Sequence, residues 1–389
     1  MPAREPIRMS PKEILARLVA FDTTSSKTNL PMADWIAAYL ASHGVECRYL
    51  RAENGIHTNM FATIGPAGDG GVALSGHMDV VPTTSQPWTT DPYTMVEKDG
   101  RLYGRGTCDM KGFIACTLAM VPDLVQRKFR APIHFAFSYD EEVGCTGVKP
   151  MIDEMGQTLP KPRIVIVGEP TNMTVVDAHK GGYRFHTEVI GKDAHSSKPQ
   201  LGVGSIRIAA ALIAELGRIE ARERERLLNP RFDPPYASMT VSGIEGGIAH
   251  NIIPPKCGFT WGVRAMPGTD ALGMARELQA YAERELLPAM RAVHPDCNIA
   301  TETLGILPPF DSGEGSEART FALKLAGQNE TFAVSYGTEA SHFQAAGCST
   351  IVIGPGSIDQ AHQPDEFLVS DELDGCMAFL GKVADWAQV

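Results

Sequence analysis

Val72-Ala73-Leu74-Ser75-Gly76-His77-Met78-Asp79 is an apolar run that ends in a glycine and leads at once into a His-x-Asp pair. The run has strand character, and residues i and i+2 of a strand share a face. His77 and Asp79 are therefore expected side by side where a buried strand meets solvent. In open α/β sheets, ligands bind beyond the carboxyl ends of the strands. A histidine there, with a carboxylate to hold its second ring nitrogen, is the usual form of a metal ligand. A buried histidine satisfied by hydrogen bonds fits the same stretch, so the rest of the chain has to decide.

Strand-like runs at 46–50, 59–64, 132–139, 163–167 and 350–353 alternate with helical stretches at 10–21, 32–43, 110–125, 316–326 and 371–384. Ser10-Pro11-Lys12-Glu13 opens the first helix with an N-cap serine, a proline at N1 and a glutamate at N3. Asp99-Gly100 predicts a hairpin turn between 93–96 and 102–104. This alternation implies an α/β fold with a mixed, mostly parallel sheet and helices on both faces. Near Gly181-Gly182 the pattern changes. Strand 183–190, helix 203–216, strands 238–244 and 257–264, helix 271–286 and strand 298–304 follow the βαββαβ order of a ferredoxin-like α+β unit. Residues 1–181 and 306–389 thus read as one discontinuous domain, interrupted by an inserted domain at 182–305. The charged run at 220–227 (EARERERL) reads as a solvated helix end.

A chain of 389 residues exceeds the size at which single cores stop growing, in keeping with two domains. The net charge of −11 argues against nucleic acid and against anionic membrane surfaces. No apolar run is long enough to cross a bilayer. The opening MPAREPIRMSPKEILARL has no apolar core followed by a small-residue cleavage site, so it does not read as a secretory signal. The eight cysteines form no CxxC pair and no disulfide framework, which points to a reducing cytoplasm. A metal site in this chain therefore has to use His, Asp and Glu.

Four further stretches put such side chains in loops beside glycines or after apolar strands. They are GRGTCDMKG (104–112), YDEEVG (139–144), GEPT (168–171) and the segment from Gly354 to Glu366. Each has a plainer explanation: Asp109 as a helix cap, Glu141-Glu142 as turn charge, Glu169 as part of a surface turn. Their joint placement at one end of a sheet is harder to explain that way. His77, Asp109, Glu142, Glu169 and His362 make a candidate ligand set for two divalent cations. One carboxylate bridges, three ligands reach each metal, and positions stay open for water and substrate. Glu141 is left over. Adjacent residues of an extended segment point in different directions, so Glu141 can face the water while Glu142 binds metal. It is the candidate general acid/base. Cys108 and Cys145 beside the site read as small packing residues.

Together these residues resemble the M20 family of metallopeptidases and deacylases over nearly the whole chain. SGHMDVVP (75–82), GRGTCDMKG, DEEVG (140–144), GEPT and AHQPDEF (361–367) stand in that family's order and spacing. The resemblance implies a zinc-peptidase-like fold with an inserted dimerisation and lid domain, a centre of two Zn²⁺ or Co²⁺ ions, and a homodimer. It implies that His77 and Glu169 bind one metal, Glu142 and His362 the other, and that Asp109 bridges. Asp79 would orient His77, Glu141 would be the acid/base, and the peptide after Asp109 would be cis. His195, in Asp193-Ala194-His195-Ser196-Ser197, would enter the partner's site and donate to an oxyanion. Asn251, in the loop 246–254, and Arg264 would contact the substrate, the arginine donating from its guanidinium to the substrate carboxylate.

Within the family, 336–340 and 354–366 look most like members that deacetylate N2-acetyl-L-ornithine in arginine biosynthesis. Glu339 is then a candidate for the substrate's ammonium group. Other N-acyl amino acid hydrolases of the family remain open: a succinyl-diaminopimelate desuccinylase, an aminoacylase or a dipeptidase. A non-catalytic binding protein of the same fold is a remoter alternative. A serine or cysteine hydrolase is disfavoured, because no G-x-S-x-G elbow is present.

Overall fold

The computed structural model describes residues 8–388; the first seven residues of the stretch read above for a signal lie outside them. Helix Pro11–Val19 starts as its sequence predicts. The Ser10 hydroxyl accepts from the Glu13 amide at 3.3 Å, and the Glu13 carboxylate accepts from the Ser10 amide at 2.7 Å. Such a cap contributes about 1 kcal/mol. Asp99 and Gly100 both have positive φ, 51° and 73°, and close the hairpin between Val96–Lys98 and Arg101–Tyr103.

Two compact units divide the chain. The first holds residues up to Ala178, Asp311–Phe332 and Thr338 onward; the second holds His179–Phe310 and Ala333–Gly337. The sequence pattern alone puts the crossings at 181/182 and 305/306. Strand Asn298–Leu307 runs past the second of these, pairing Leu307 with Gly182, which carries that boundary further along the chain.

In the first unit the sheet runs, in spatial order, Cys47–Arg51, Thr58–Ile64, Ile133–Ser138, Val72–His77, Ile164–Val167, Ser349–Val352 and Val176–His179. The four strands at its centre are parallel, and the two before them pair antiparallel. This is the mixed α/β sheet that the sequence implies. Val72–His77, Ile133–Ser138 and Ile164–Val167 are buried along their whole length, so they read as continuous apolar runs rather than as alternation. Helix Gly112–Leu124 packs against Pro11–Val19 and Ser370–Gln388. His77 stands opposite Ser138, and Val167 stands opposite both Ser75 and Val352. The four parallel strands therefore end at one edge, and the loops that follow them open on the same side.

The second unit is a four-stranded antiparallel sheet in the order Ser238–Gly246, Lys256–Ala265, Gly181–Ile190, Asn298–Leu307. With helices Ser205–Arg226 and Ala271–Tyr281 it encloses a core that includes Phe185, Trp261, Leu212 and Leu278. Helix Ser205–Arg226 extends ten residues beyond the end expected at 216. Ion pairs Glu220–Arg224 (2.8 Å) and Glu223–Arg226 (2.6 Å) sit at helical spacing on this extension, each contributing roughly 0.3–0.5 kcal/mol. Among the described residues, no helix is long and apolar enough to cross a membrane.

Candidate metal centre

His77 ends its strand at 1% exposure. It does not emerge into solvent, because Asp109 and Glu169 close over the ring at 3.0 and 3.8 Å from Nε2. Its Nδ1 lies 2.9 Å from the main-chain oxygen of Asp79 but 3.6 Å from the Asp79 carboxylate. The carbonyl, not the expected carboxylate, holds the second ring nitrogen. The carboxylate is engaged by other donors: the Ser25 hydroxyl at 2.7 Å and the amides of Glu141 and Glu142 at 3.1 and 3.3 Å. Asp79 thus fixes both the imidazole and the backbone of the two glutamates. A proton on Nδ1 leaves Nε2 facing the cluster.

Asp109 lies in the turn before helix Gly112–Leu124, and the peptide bond that follows it is cis. Its Oδ1 is 3.0 Å from His77 Nε2, and its Oδ2 is 3.3 Å from His362 Nε2. Each oxygen thus faces a different histidine. A residue with no role assigned from sequence holds this turn. Glu366 Oε1 accepts from the amides of Cys108 and Asp109 at 2.9 and 3.1 Å. Its Oε2 accepts from the Gly106 amide at 3.1 Å and from Arg105 at 2.7 Å. Glu366 arrives there because strand Phe367–Val369 pairs with Arg101–Tyr103. The available signal was Arg105 itself, a guanidinium in a glycine-rich loop that needs an acid if it is buried. Both side chains of this pair are 1% exposed. Removing one partner of such a pair leaves an uncompensated charge and costs about 3–5 kcal/mol. Glu366→Gln is therefore expected to lower unfolding free energy by about 3 kcal/mol in a denaturant titration; an unchanged midpoint would contradict this.

His362 Nε2 lies 2.9 Å from Glu142 Oε2, and Glu169 follows Gly168 at the end of strand Ile164–Val167. A Cβ at Gly168 would stand 2.0 Å from the Phe113 ring, so only glycine allows the approach that brings Glu169 in. His77, Glu141 and Glu169 can offer ligand atoms within 4.8 Å of one another, and so can His77, Asp109 and Glu142. All five predicted ligands and Glu141 lie in this one cluster.

The electrostatics are those of a crowded acid cluster. Burial, with Asp109 next to it, pushes Glu169 well above the usual carboxylate range and Glu142 up to about 7. Burial raises Glu141 to about 8, with Glu142 and Asp109 adding to the effect. Asp109 is the exception: burial pulls it upward, but hydrogen bonds from His362 and His77 outweigh that and hold it low. Burial opposes the charge on His77, yet Asp109 keeps its pKa well above the ordinary value. Asp109 and Glu142 lift His362 to about 10. Without a cation, the centre balances its charge by retaining protons. Glu169 Oε1 is buried and, among the described residues, accepts no hydrogen bond. An unsatisfied carboxylate oxygen among two imidazoles and three further carboxylates fits divalent cations that take nitrogen and oxygen ligands.

Glu339 is placed differently from the expectation. It is 1% exposed, with Oε2 accepting from Ser75 Oγ at 3.1 Å and Oε1 accepting from the Ser138 hydroxyl. Two serines on neighbouring strands claim both oxygens, so it does not present a free carboxylate to a substrate ammonium. His195, Asn251 and Arg264 belong to the second unit. The His195 and Asn251 segments are neighbours, with the Ser196 amide donating to Asn251 O at 3.0 Å. His195 Nδ1 accepts from the Ser197 amide at 3.2 Å, which puts the ring proton on Nε2. Arg264 stands exposed near the end of strand Lys256–Ala265.

Acetylornithine deacetylase of Myxococcus xanthus is 35% identical over 373 residues, 95% of each chain. An M20 family metallo-carboxypeptidase from Sulfolobus solfataricus superposes with a TM-score of 0.74 at 16% identity, covering 96% of this chain and 98% of its own. A dinuclear metal-binding peptidase of the M20 family from Bacillus subtilis does so with a TM-score of 0.66 at 16% identity, covering 96% and 97%. The model of peptidase family M20/M25/M40 matches residues 73–385. The chain belongs to that family, and so to the metal-dependent amide hydrolases.

Proposed function

We propose that this chain hydrolyses N2-acetyl-L-ornithine to L-ornithine and acetate, a step of arginine biosynthesis, at a centre of two Zn²⁺ or Co²⁺ ions. The observation that carries the substrate is the 35% identity with the Myxococcus xanthus acetylornithine deacetylase across 95% of both chains. His77 with Glu169 would hold one cation and His362 with Glu142 the other, and Asp109, whose two oxygens face different histidines, would be shared between them. Bound there, the cations supply Lewis acidity and lower the pKa of water. Glu141, whose basicity burial raises, takes the proton from the attacking water. It then delivers that proton to the leaving nitrogen as the amide C–N bond breaks. Arg264 pairs with the substrate carboxylate, and Asn251 is a polar contact.

The protein works in the cytoplasm as a homodimer joined through the second unit. The edge strand Ser238–Gly246 leaves Val241 and Ile244 exposed, an unprotected edge suited to pairing with a second copy. In that dimer the Nε2–H of His195 donates to the oxyanion in the partner's site.

The test of substrate is kcat/KM of the metal-loaded protein on N2-acetyl-L-ornithine, N-succinyl-diaminopimelate, an acetylated neutral amino acid and a dipeptide. Acetylornithine is expected to lead. A preference for another compound overturns the substrate and leaves amide hydrolysis standing; no hydrolysis of any overturns both. Metal loading gives a second check. His77 and His362 lie above neutral pH without metal, so at pH 7 both carry a proton that a ligand nitrogen must lose. Loading therefore releases protons, and apparent affinity rises with pH. Calorimetry in two buffers of different ionisation enthalpy is expected to give different heats; equal heats would contradict the assignment.

A further inference from the structure

We infer that Cys145 is a positioning residue for Glu141, holding its carboxylate so that a single oxygen is presented to the attacking water. This rests on Glu141 being the general base proposed above.

Two independent observations converge on Cys145. One is the backbone. The turn from Glu141 to Cys145 is closed by the amides of Gly144 and Cys145, both donating to Glu141 O at 2.9 Å. Cys145 itself sits at φ 55°, a left-handed conformation that favours glycine and that a residue with a Cβ adopts only at a cost. The other is the side chain. Cys145 is 1% exposed, and its Sγ lies 2.9 Å from Glu141 Oε1. A thiol is protonated near neutral pH, so the S–H donates and the carboxylate accepts. The sulfur atom is what the strained position retains, and its contact is the carboxylate that the reaction uses.

The choice of donor has a chemical logic. A glutamate side chain is free to turn about its bonds, and a base must be aligned to within a fraction of an ångström to transfer a proton at full rate. A thiol is a weak donor. It can fix Oε1 while taking little electron density, which leaves Oε2 basic. A cationic donor in the same place would fix the carboxylate and weaken it as a base.

The experiment compares Cys145→Ala, Cys145→Ser and Cys145→Gly with the parent on N2-acetyl-L-ornithine, reading kcat, KM, metal content and melting temperature. Cys145→Ala is expected to lower kcat about 10- to 100-fold, with KM and metal content nearly unchanged. Cys145→Ser, which restores a donor of similar size, is expected to recover most of kcat. Cys145→Gly suits the backbone and removes the thiol, so it reads the same loss if the alanine variant fails to fold. In a Glu141→Gln background, Cys145→Ala is expected to add no further loss. Unchanged kcat in the alanine and glycine variants, an equal loss in serine and alanine, or a full additional loss in the Glu141→Gln background each overturns the inference. Full activity of Glu141→Gln alone overturns instead the base assignment on which it rests.

Discussion

Glu141→Gln is expected to lower kcat by about 10²–10⁴-fold, the range that a positioned acid/base contributes, while two metal ions per chain remain bound. The amide keeps the shape and volume of the carboxylate but cannot take a proton from water. The expected metal retention is the sharper half of this result. Glu141 lies close enough to His77 and Glu169 to share a cation with them, so proximity does not separate a base from a ligand. The separation comes from the other contacts. Glu142 faces His362 at 2.9 Å, whereas Glu141 Oε1 faces the Cys145 thiol at 2.9 Å. Metal analysis beside steady-state kinetics decides it: loss of a metal ion in Glu141→Gln would make Glu141 a ligand, and normal turnover would remove it from the chemistry.

Asp109→Asn is expected to cost metal at both positions and to lower activity at least as far as Glu141→Gln does. One Asp109 oxygen faces each histidine, so both halves of the centre depend on one side chain. A neutral amide offers a single weak oxygen ligand and removes the charge that two close cations need between them. The same change has a consequence without metal. Asp109 is the main group holding His77 and His362 as imidazolium ions, and without its charge both histidine pKa values fall. Metal content reads the first effect, and histidine titration followed by NMR on the metal-free variant reads the second. A variant that still holds two ions would show that Asp109 does not bridge.

The five candidate ligands are legible in the sequence because each follows a local signal. His77 and Glu169 follow short apolar runs that become buried parallel strands. Asp109 stands among glycines ahead of a helix, and Glu142 follows the strand Ile133–Ser138. What stays hidden depends on where a side chain turns and on pairings far apart in the chain. Asp79 offers a carboxylate two residues from His77, yet the backbone carbonyl takes the ring while the carboxylate holds the Glu141 and Glu142 amides. Glu339 lies in a motif near the site, but Ser75 and Ser138 reach its oxygens from neighbouring strands. Glu366 supports Asp109 only because Phe367–Val369 joins the hairpin strand Arg101–Tyr103, a pairing that no periodicity reports. One helix end is missed for a related reason: the apolar pattern stops at 216, while helix Ser205–Arg226 runs on, and EARERERL is its largely exposed end, as its charge implies, with Glu223 buried and ion pairs at helical spacing.

The most direct test is an anomalous difference map from crystals of the zinc-loaded protein. Two peaks about 3.5–4 Å apart are expected, one beside His77 and Glu169, the other beside Glu142 and His362, with Asp109 between them. A single peak, or peaks that leave Asp109 bound to only one ion, would contradict the two-cation centre on which the proposed chemistry depends.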